Sequence, residues 1–220
     1  MVLKGEVKDG YYVLNTSSLG LFAVVGELGE AKPVSDLGFT DVLEGAWYYD
    51  AVKYVKEKGL FNGTSATTFS PNRTMTRAML VTVLHRLDGT AANASGVSFS
   101  DVPAGQYYTN AVAWAASNGI VSGYSKTVFG PDNSITREQL AAVLYRYTKS
   151  KGYDMSKTAD LSVYTDAGTV SGFASDAMSW AVGNGLINGT SATILSPKGT
   201  ATRAQVATIL MRFAQLSESK

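Results

Sequence analysis

Gly59-Leu60-Phe61-Asn62-Gly63 returns as Gly119-Ile120-Val121-Ser122-Gly123 and again as Gly185-Leu186-Ile187-Asn188-Gly189. Each copy sets two apolar residues after a glycine, the pattern of a helix that stops on a left-handed residue and enters a short buried segment. The flanks repeat too. Upstream, Ala51-Val52-Lys53-Tyr54-Val55 matches Ala111-Val112-Ala113-Trp114-Ala115 and Ala177-Met178-Ser179-Trp180-Ala181, apolar at the i, i+3, i+4 spacing of one helix face. Before these helices stand Phe39-Thr40-Asp41-Val42, Phe99-Ser100-Asp101-Val102 and Tyr164-Thr165-Asp166-Ala167. Downstream, loops carrying the turn prolines Pro71, Pro131 and Pro197 lead to a second helix. It opens with Thr76-Arg77-Ala78-Met79, Thr136-Arg137-Glu138-Gln139 or Thr202-Arg203-Ala204-Gln205. The last two fit a capping box, threonine at N-cap and Gln at N3, which Met79 breaks in the first.

Each unit therefore reads as helix, glycine-rich loop, helix. Its apolar stripes, such as Leu80, Val83, Leu84 and Leu87, have no partner inside the unit, so the copies must stabilise one another. The expected fold is mainly α: three tandem helix-loop-helix repeats over 36–92, 93–158 and 159–220, able to close into a pseudo-threefold bundle. Gly89 to Ser98 and Lys149 to Ser162 read as linkers with soft boundaries. Residues 1–35 stand outside the repeat. Tyr11-Tyr12-Val13-Leu14 and Leu21-Phe22-Ala23-Val24-Val25 predict a β-hairpin, the end of a preceding β domain or a strand pair packed on the first repeat.

Composition narrows the function. The 220 residues are 45% hydrophobic, enough for a real core, and 19 Lys and Arg balance 18 Asp and Glu for a net charge of +1. No broad field draws nucleic acid or an anionic membrane, and no apolar run approaches the roughly 20 residues of a membrane span. Without cysteine there are no disulfides, thiolate nucleophiles or cysteine metal sites. Lys4, Glu6, Lys8 and Asp9 interrupt any signal-peptide core, so an export signal is expected upstream of Met1. The only histidine, His85, follows Leu84 on an apolar helix and reads as a packing or surface residue rather than a general base. No catalytic residue, metal site or cofactor loop can be picked out. Trp114 and Trp180 read as core.

The repeated order of Phe-Thr/Ser-Asp, aromatic helix, Gly-apolar-apolar-x-Gly turn, x-Pro loop and Thr-Arg helix start resembles the S-layer homology repeat over roughly residues 38 to 214. The resemblance implies a three-pronged spindle whose grooves bind secondary cell-wall polymer, often through a pyruvylated sugar. It maps the family's Thr-Arg-Ala-Glu signature onto Thr76-Arg77, Thr136-Arg137 and Thr202-Arg203, with Met79, Gln139 and Gln205 in place of the glutamate. Arg77, Arg137 and Arg203 are the candidate contacts to a carboxylate, since a helix amino terminus offers N–H donors and arginine adds a planar fork. Trp47 and Tyr107, with Tyr48, Tyr108 and Phe173, are candidates for stacking on sugar rings. Gly63, Gly123 and Gly189 would let backbone approach a ligand. Asp41, Asp101 and Asp166 are divided between a groove role and capping.

The function this implies is non-catalytic anchoring at the bacterial cell surface, in the cell wall or S-layer, with secondary cell-wall polysaccharide attached to peptidoglycan as the partner. No nucleic acid, membrane insertion or cofactor is expected. The alternative is a protein-interaction or self-assembly scaffold in which the aromatics make subunit contacts. An envelope glycosidase ranks last, because no carboxylate pair with distinct environments stands out.

Overall fold

The computed structural model describes residues 5–8, 11–14, 36–91 and 98–218. They divide between two units, residues 1–33 and 34–220. In the first, β1 (Gly5–Lys8) and β2 (Tyr11–Leu14) form an antiparallel pair with Gly5 opposite Leu14 and Lys8 opposite Tyr11. The expected partner of Tyr11–Leu14 was the apolar run Leu21–Val25; β2 instead pairs with the segment before it, and Leu21–Val25 lies outside the described residues. The reason is local. Glu6 and Lys8 flank Val7 in strand alternation, and Asp9-Gly10 is the dipeptide that two-residue hairpin connections favour.

The second unit is mainly helical. Among its described residues are α1 (Tyr49–Glu57), α2 (Arg77–Asp88), α3 (Thr109–Ser117), α4 (Arg137–Ser150), α5 (Ser175–Gly183) and α6 (Arg203–Glu218). None of the described helices is long and apolar enough to cross a membrane. The first helix of each repeat ends as its glycine requires. Gly59, Gly119 and Gly185 have φ of 66°, 67° and 67°. Their N–H groups bond to Lys56, Ala116 and Val182, while Leu60, Ile120 and Leu186 reach back to Val55, Ala115 and Ala181, each pair forming a Schellman motif. The apolar residue after the glycine is thereby driven into the core, where Leu60, Ile120 and Leu186 are buried.

The second helices start on their threonines. Thr76, Thr136 and Thr202 accept from the N–H of Met79, Gln139 and Gln205, and the two glutamines return the bond to complete the box. Met79 has no group to return it.

The main helix contacts run between repeats. α3 packs on α2, α5 on α4, and α1 on α6. Trp114 and Trp180 lie at these contacts, 5% and 0% exposed, as their positions on the helix face predict. A fully buried Leu or Phe contributes about 1.5–3 kcal/mol, and the facing helices bury theirs against a neighbouring repeat. Backbone hydrogen bonds follow the same cycle: Ile135 N–H to Met75 O, Ala201 N–H to Ile135 O, and Met75 N–H to Ala201 O. The stretch 151–162 is held against α5, with Ala159 and Ser179 exchanging bonds and Asn184 donating to Lys157 O. Gly183 faces it at a point where a Cβ would strike Thr158. His85 packs its ring 4.9 Å from that of Trp114, and its Nε2 is buried without a hydrogen-bond partner among the described residues.

Candidate functional site: arginine-lined clefts between repeats

The three arginines sit at the first position of α2, α4 and α6, where the cap turns the side chain away from its own repeat. Arg77 donates from Nε to Phe129 O at 3.0 Å and from Nη2 to Ser122 O at 2.8 Å. Arg137 does the same to Leu195 O and Asn188 O, and Arg203 to Phe69 O and Asn62 O. Repeat 1 thus grips the loop of repeat 2, repeat 2 that of repeat 3, and repeat 3 that of repeat 1.

Each gripped peptide is held from its other side by an aspartate. Asp101 accepts the N–H of Phe129 and of Gly130, Asp41 those of Phe69 and Ser70, and Asp166 those of Leu195 and Ser196. The peptide unit from Phe129 C=O to Gly130 N–H therefore stands between the Arg77 guanidinium and the Asp101 carboxylate, an ion pair bridged by backbone. One geometry accounts for six of the residues singled out in the sequence. Burial lowers the pKa of Arg77 and Arg137, against the raising influence of Tyr124 and Tyr164 respectively. Burial, then the charge of Arg73, pulls Arg203 down to about 10, leaving it a cation at neutral pH. Burial acts against the Asp101 carboxylate, yet the N–H groups of Phe129 and Gly130 outweigh it and the pKa falls below the ordinary value. Asp166 is lowered in the same direction, chiefly by Leu195 N–H.

The helix amino termini are not open to a ligand in the way the sequence suggested. The N–H groups of Arg77 and Ala78 bond to Asn133 O and Pro131 O, those of Arg137 and Glu138 to Gly199 O and Pro197 O, and those of Arg203 and Ala204 to Arg73 O and Pro71 O. The neighbouring repeat uses the donors that a helix start leaves over. Gly63, Gly123 and Gly189 also answer to their own loops: a Cβ on Gly63 would run into the carbonyls of Ser65 and Thr68 and the ring of Phe39, with equivalent collisions at the other two.

What remains for a ligand lies in the clefts these contacts create. One, of about 220 Å³, is lined by Arg77, the loop at Gly123 and Tyr124, Gln139 and Arg146 of α4, and Phe173 of repeat 3. Another, of about 340 Å³, is lined by Arg203, the loop at Gly63, Met79 and Arg86 of α2, Arg73, and Tyr107 of repeat 2. Both take an arginine, a loop with its following helix, and an aromatic from three different repeats. The aromatic is exposed in every copy: Trp47 66%, Tyr107 61% and Phe173 56%. Its neighbour turns inward, Tyr108 being buried and Tyr48 half-buried, with Tyr107 and Tyr108 edge-on at 5.0 Å. Arg77 lies 4.6 Å from the ring centroids of both Tyr124 and Phe129, and Arg203 lies 4.5 Å from that of Phe69. Among the described residues no three His, Asp or Glu side chains group as metal ligands would.

Residues 38–78, 98–141 and 163–207 each match the family model of the S-layer homology domain, together more than half of the chain. The chain belongs to the S-layer homology domain family. Its three S-layer homology repeats are 34% identical, over 78% of this chain, to part of an endoglucanase of Bacillus sp. (strain KSM-635). They are 32% identical over 74% to the surface-layer 125 kDa protein of Lysinibacillus sphaericus, and 30% over 51% to the cellulosome-anchoring protein of Acetivibrio thermocellus. The chain spans only 18%, 14% and 26% of these proteins, so the likeness to an endoglucanase is confined to a small part of that protein.

Within the S-layer homology repeats, reading the sequence overlooked a second arginine set. Arg86, Arg146 and Arg212 occupy one position of the second helix in all three copies. Arg86 and Arg146 line the two clefts, while Arg86 and Arg212 donate to Leu60 O and Gly185 O. The signal was there in the register: an arginine nine residues after each Thr-Arg arginine, in a chain otherwise sparing of charge.

Proposed function

We propose that this chain is a non-catalytic anchor that holds a larger protein on the bacterial cell surface by binding wall-attached polysaccharide in the clefts between repeats. The observation that carries this reading is the pairing, in two clefts, of a charged arginine with an exposed aromatic supplied by a different repeat. Arg77 and Arg203 spend Nε and Nη2 on carbonyls, and Nη1 makes no hydrogen bond among the described residues. That edge suits a carboxylate, and the flat apolar face of Tyr107 or Phe173 suits a sugar ring. By repetition, Arg137, Asn188, Gly189, Arg212 and Trp47 are assigned to a third cleft. The cycle of contacts among the repeats, 36–92, 93–158 and 159–220, is the basis for assigning them a pseudo-threefold, spindle-like arrangement, with residues 1–35 outside the repeats. The pyruvylated sugar that the family resemblance implies is the finer form of the ligand proposed here. Relatives named as surface-layer and cellulosome-anchoring proteins support a surface role.

The clean test replaces the aromatics, because they are exposed and the arginines hold the fold. The triple variant Trp47→Ala, Tyr107→Ala, Phe173→Ala should keep the melting temperature of the parent. It should lose about tenfold or more in sedimentation with sacculi that carry their secondary polymer, since several weak sites combine when one polymer spans them. Unchanged sedimentation would remove the aromatics from the site. Equal binding of the parent chain to polymer-stripped sacculi, or to neither, together with concentration-dependent self-association, would favour the scaffold reading.

A further inference from the structure

The two clefts differ in charge. The one built on the loop of repeat 1 collects three guanidinium groups, Arg73, Arg86 and Arg203, and no Asp or Glu lines it. Arg86 and Arg203 are tied to the carbonyls of Leu60, Phe69 and Asn62. Arg73 is exposed, and its side chain makes no hydrogen bond or ion pair among the described residues. Its backbone carbonyl receives the Arg203 N–H, which fixes where the side chain begins. The corresponding positions in the other repeats hold Asn133 and Gly199, so this cation belongs to one cleft alone. The same cleft has Met79 where the other has Gln139, an apolar side chain in place of a neutral carboxamide. The Arg73 charge also reaches its surroundings: it helps burial depress Arg203, and it acts on Tyr107, whose hydroxyl lies against Thr76.

We infer that Arg73 makes this cleft the chain's principal anion site, selective for polymer units that carry more than one negative charge. The inference rests on the anchoring reading above and adds to it the charge class of the ligand and the residue that reads it. Three cations gathered around one cleft repel one another until an anion arrives, so a second negative group on the ligand gains more here than at a cleft with two. An exposed arginine with no partner is usually just solvated. What distinguishes this one is its convergence with two immobilised guanidinium groups and an exposed Tyr107.

The experiment uses the full chain and secondary-polymer fragments released from sacculi by muramidase, titrated calorimetrically at low and high salt. The fragments are taken native, with carboxylates reduced, and with phosphates removed by hydrofluoric acid, which separates the two sources of negative charge. Arg73→Asn should weaken native-fragment binding about tenfold and flatten its salt dependence, with the melting temperature unmoved. Against fragments stripped of the decisive anion, parent and variant should bind alike. Asn133→Arg, adding the cation to repeat 2, should strengthen native binding. If Arg73→Asn binds native fragments like the parent, or loses equally against every fragment, the inference falls while anchoring stands. If the parent binds no fragment and no sacculi, both readings fall.

Discussion

Arg77, Arg137 and Arg203 are each 6–8% exposed, and each places two charged donors on carbonyls of another repeat. Lysine cannot reproduce that, since a single ammonium on a flexible stem lacks the fixed fork. On the opposite side of the bridged peptide, Asp101 should behave as a pH-linked clamp. Its folded pKa lies below the unfolded value, so its contribution is present above about pH 4 and fades as pH falls through the folded pKa. Asp101→Asn should therefore cost about 1 kcal/mol near neutral pH, about 2–4 °C in melting temperature, discounted for partial exposure. Melting curves of parent and variant from pH 7 down to about pH 2 should converge at the acid end. A constant gap at all pH values would mean that the carboxylate charge is not what holds the loop. Sequence reasoning divided Asp41, Asp101 and Asp166 between capping and a ligand role because both uses place an acid before a loop. The choice depends on N–H groups 28 to 30 residues away.

At the scale of the element, the helix stops were legible because a Schellman motif is local: glycine, the residue after it and the last turn contain the whole device. Gly119 has nothing within 4 Å of a Cβ, so replacing it tests conformation without a clash. Gly119→Ala should destabilise the protein by about 1–2 kcal/mol, the price of a left-handed non-glycine residue, read as a shift in the denaturant midpoint with an unchanged slope. A neutral outcome would show that α3 can end without the left-handed turn. Ser70 and Ser196 already occupy positive φ at 57° and 55°, where repeat 2 has Gly130 at 73°. The capping boxes on α4 and α6 were equally local and equally legible. The hairpin was not, because β1 carries its charges in strand alternation and the more apolar Leu21–Val25 outweighed it in reading.

For the whole molecule, the cycle of contacts makes a stronger statement than a stack of repeats would. In an open stack an end repeat can be removed at the cost of one interface. Here α1 depends on α6, and Met75, Ile135 and Ala201 close a ring of backbone bonds, so each repeat is bounded by the other two. A chain ending at residue 158 should therefore lack a cooperative thermal transition by circular dichroism, rather than melt a few degrees lower. A sharp two-state melt of that shortened chain would overturn the dependence. Repeat 2 adds a link without counterpart: the buried Glu138 accepts from Ser171 N–H and hydroxyl and pairs with Lys198 at 2.7 Å, while repeats 1 and 3 have Ala78 and Ala204 at that position.

The sequence by itself determined the repeat, its helices, their caps and stops, and the residues that form the core, because all of these follow from spacing along a few helical turns. It also singled out the arginines, aspartates and glycines by their recurrence. Only the tertiary structure decided their company: Arg77 meets the loop at Gly123 and Arg203 the loop at Gly63, so in these two clefts the arginine that opens a second helix faces another repeat's loop rather than its own. That pairing is a matter of which repeat docks on which, set by the burial of facing helix stripes and by backbone bonds between segments far apart in the chain. Periodicity along one chain carries no information on that choice.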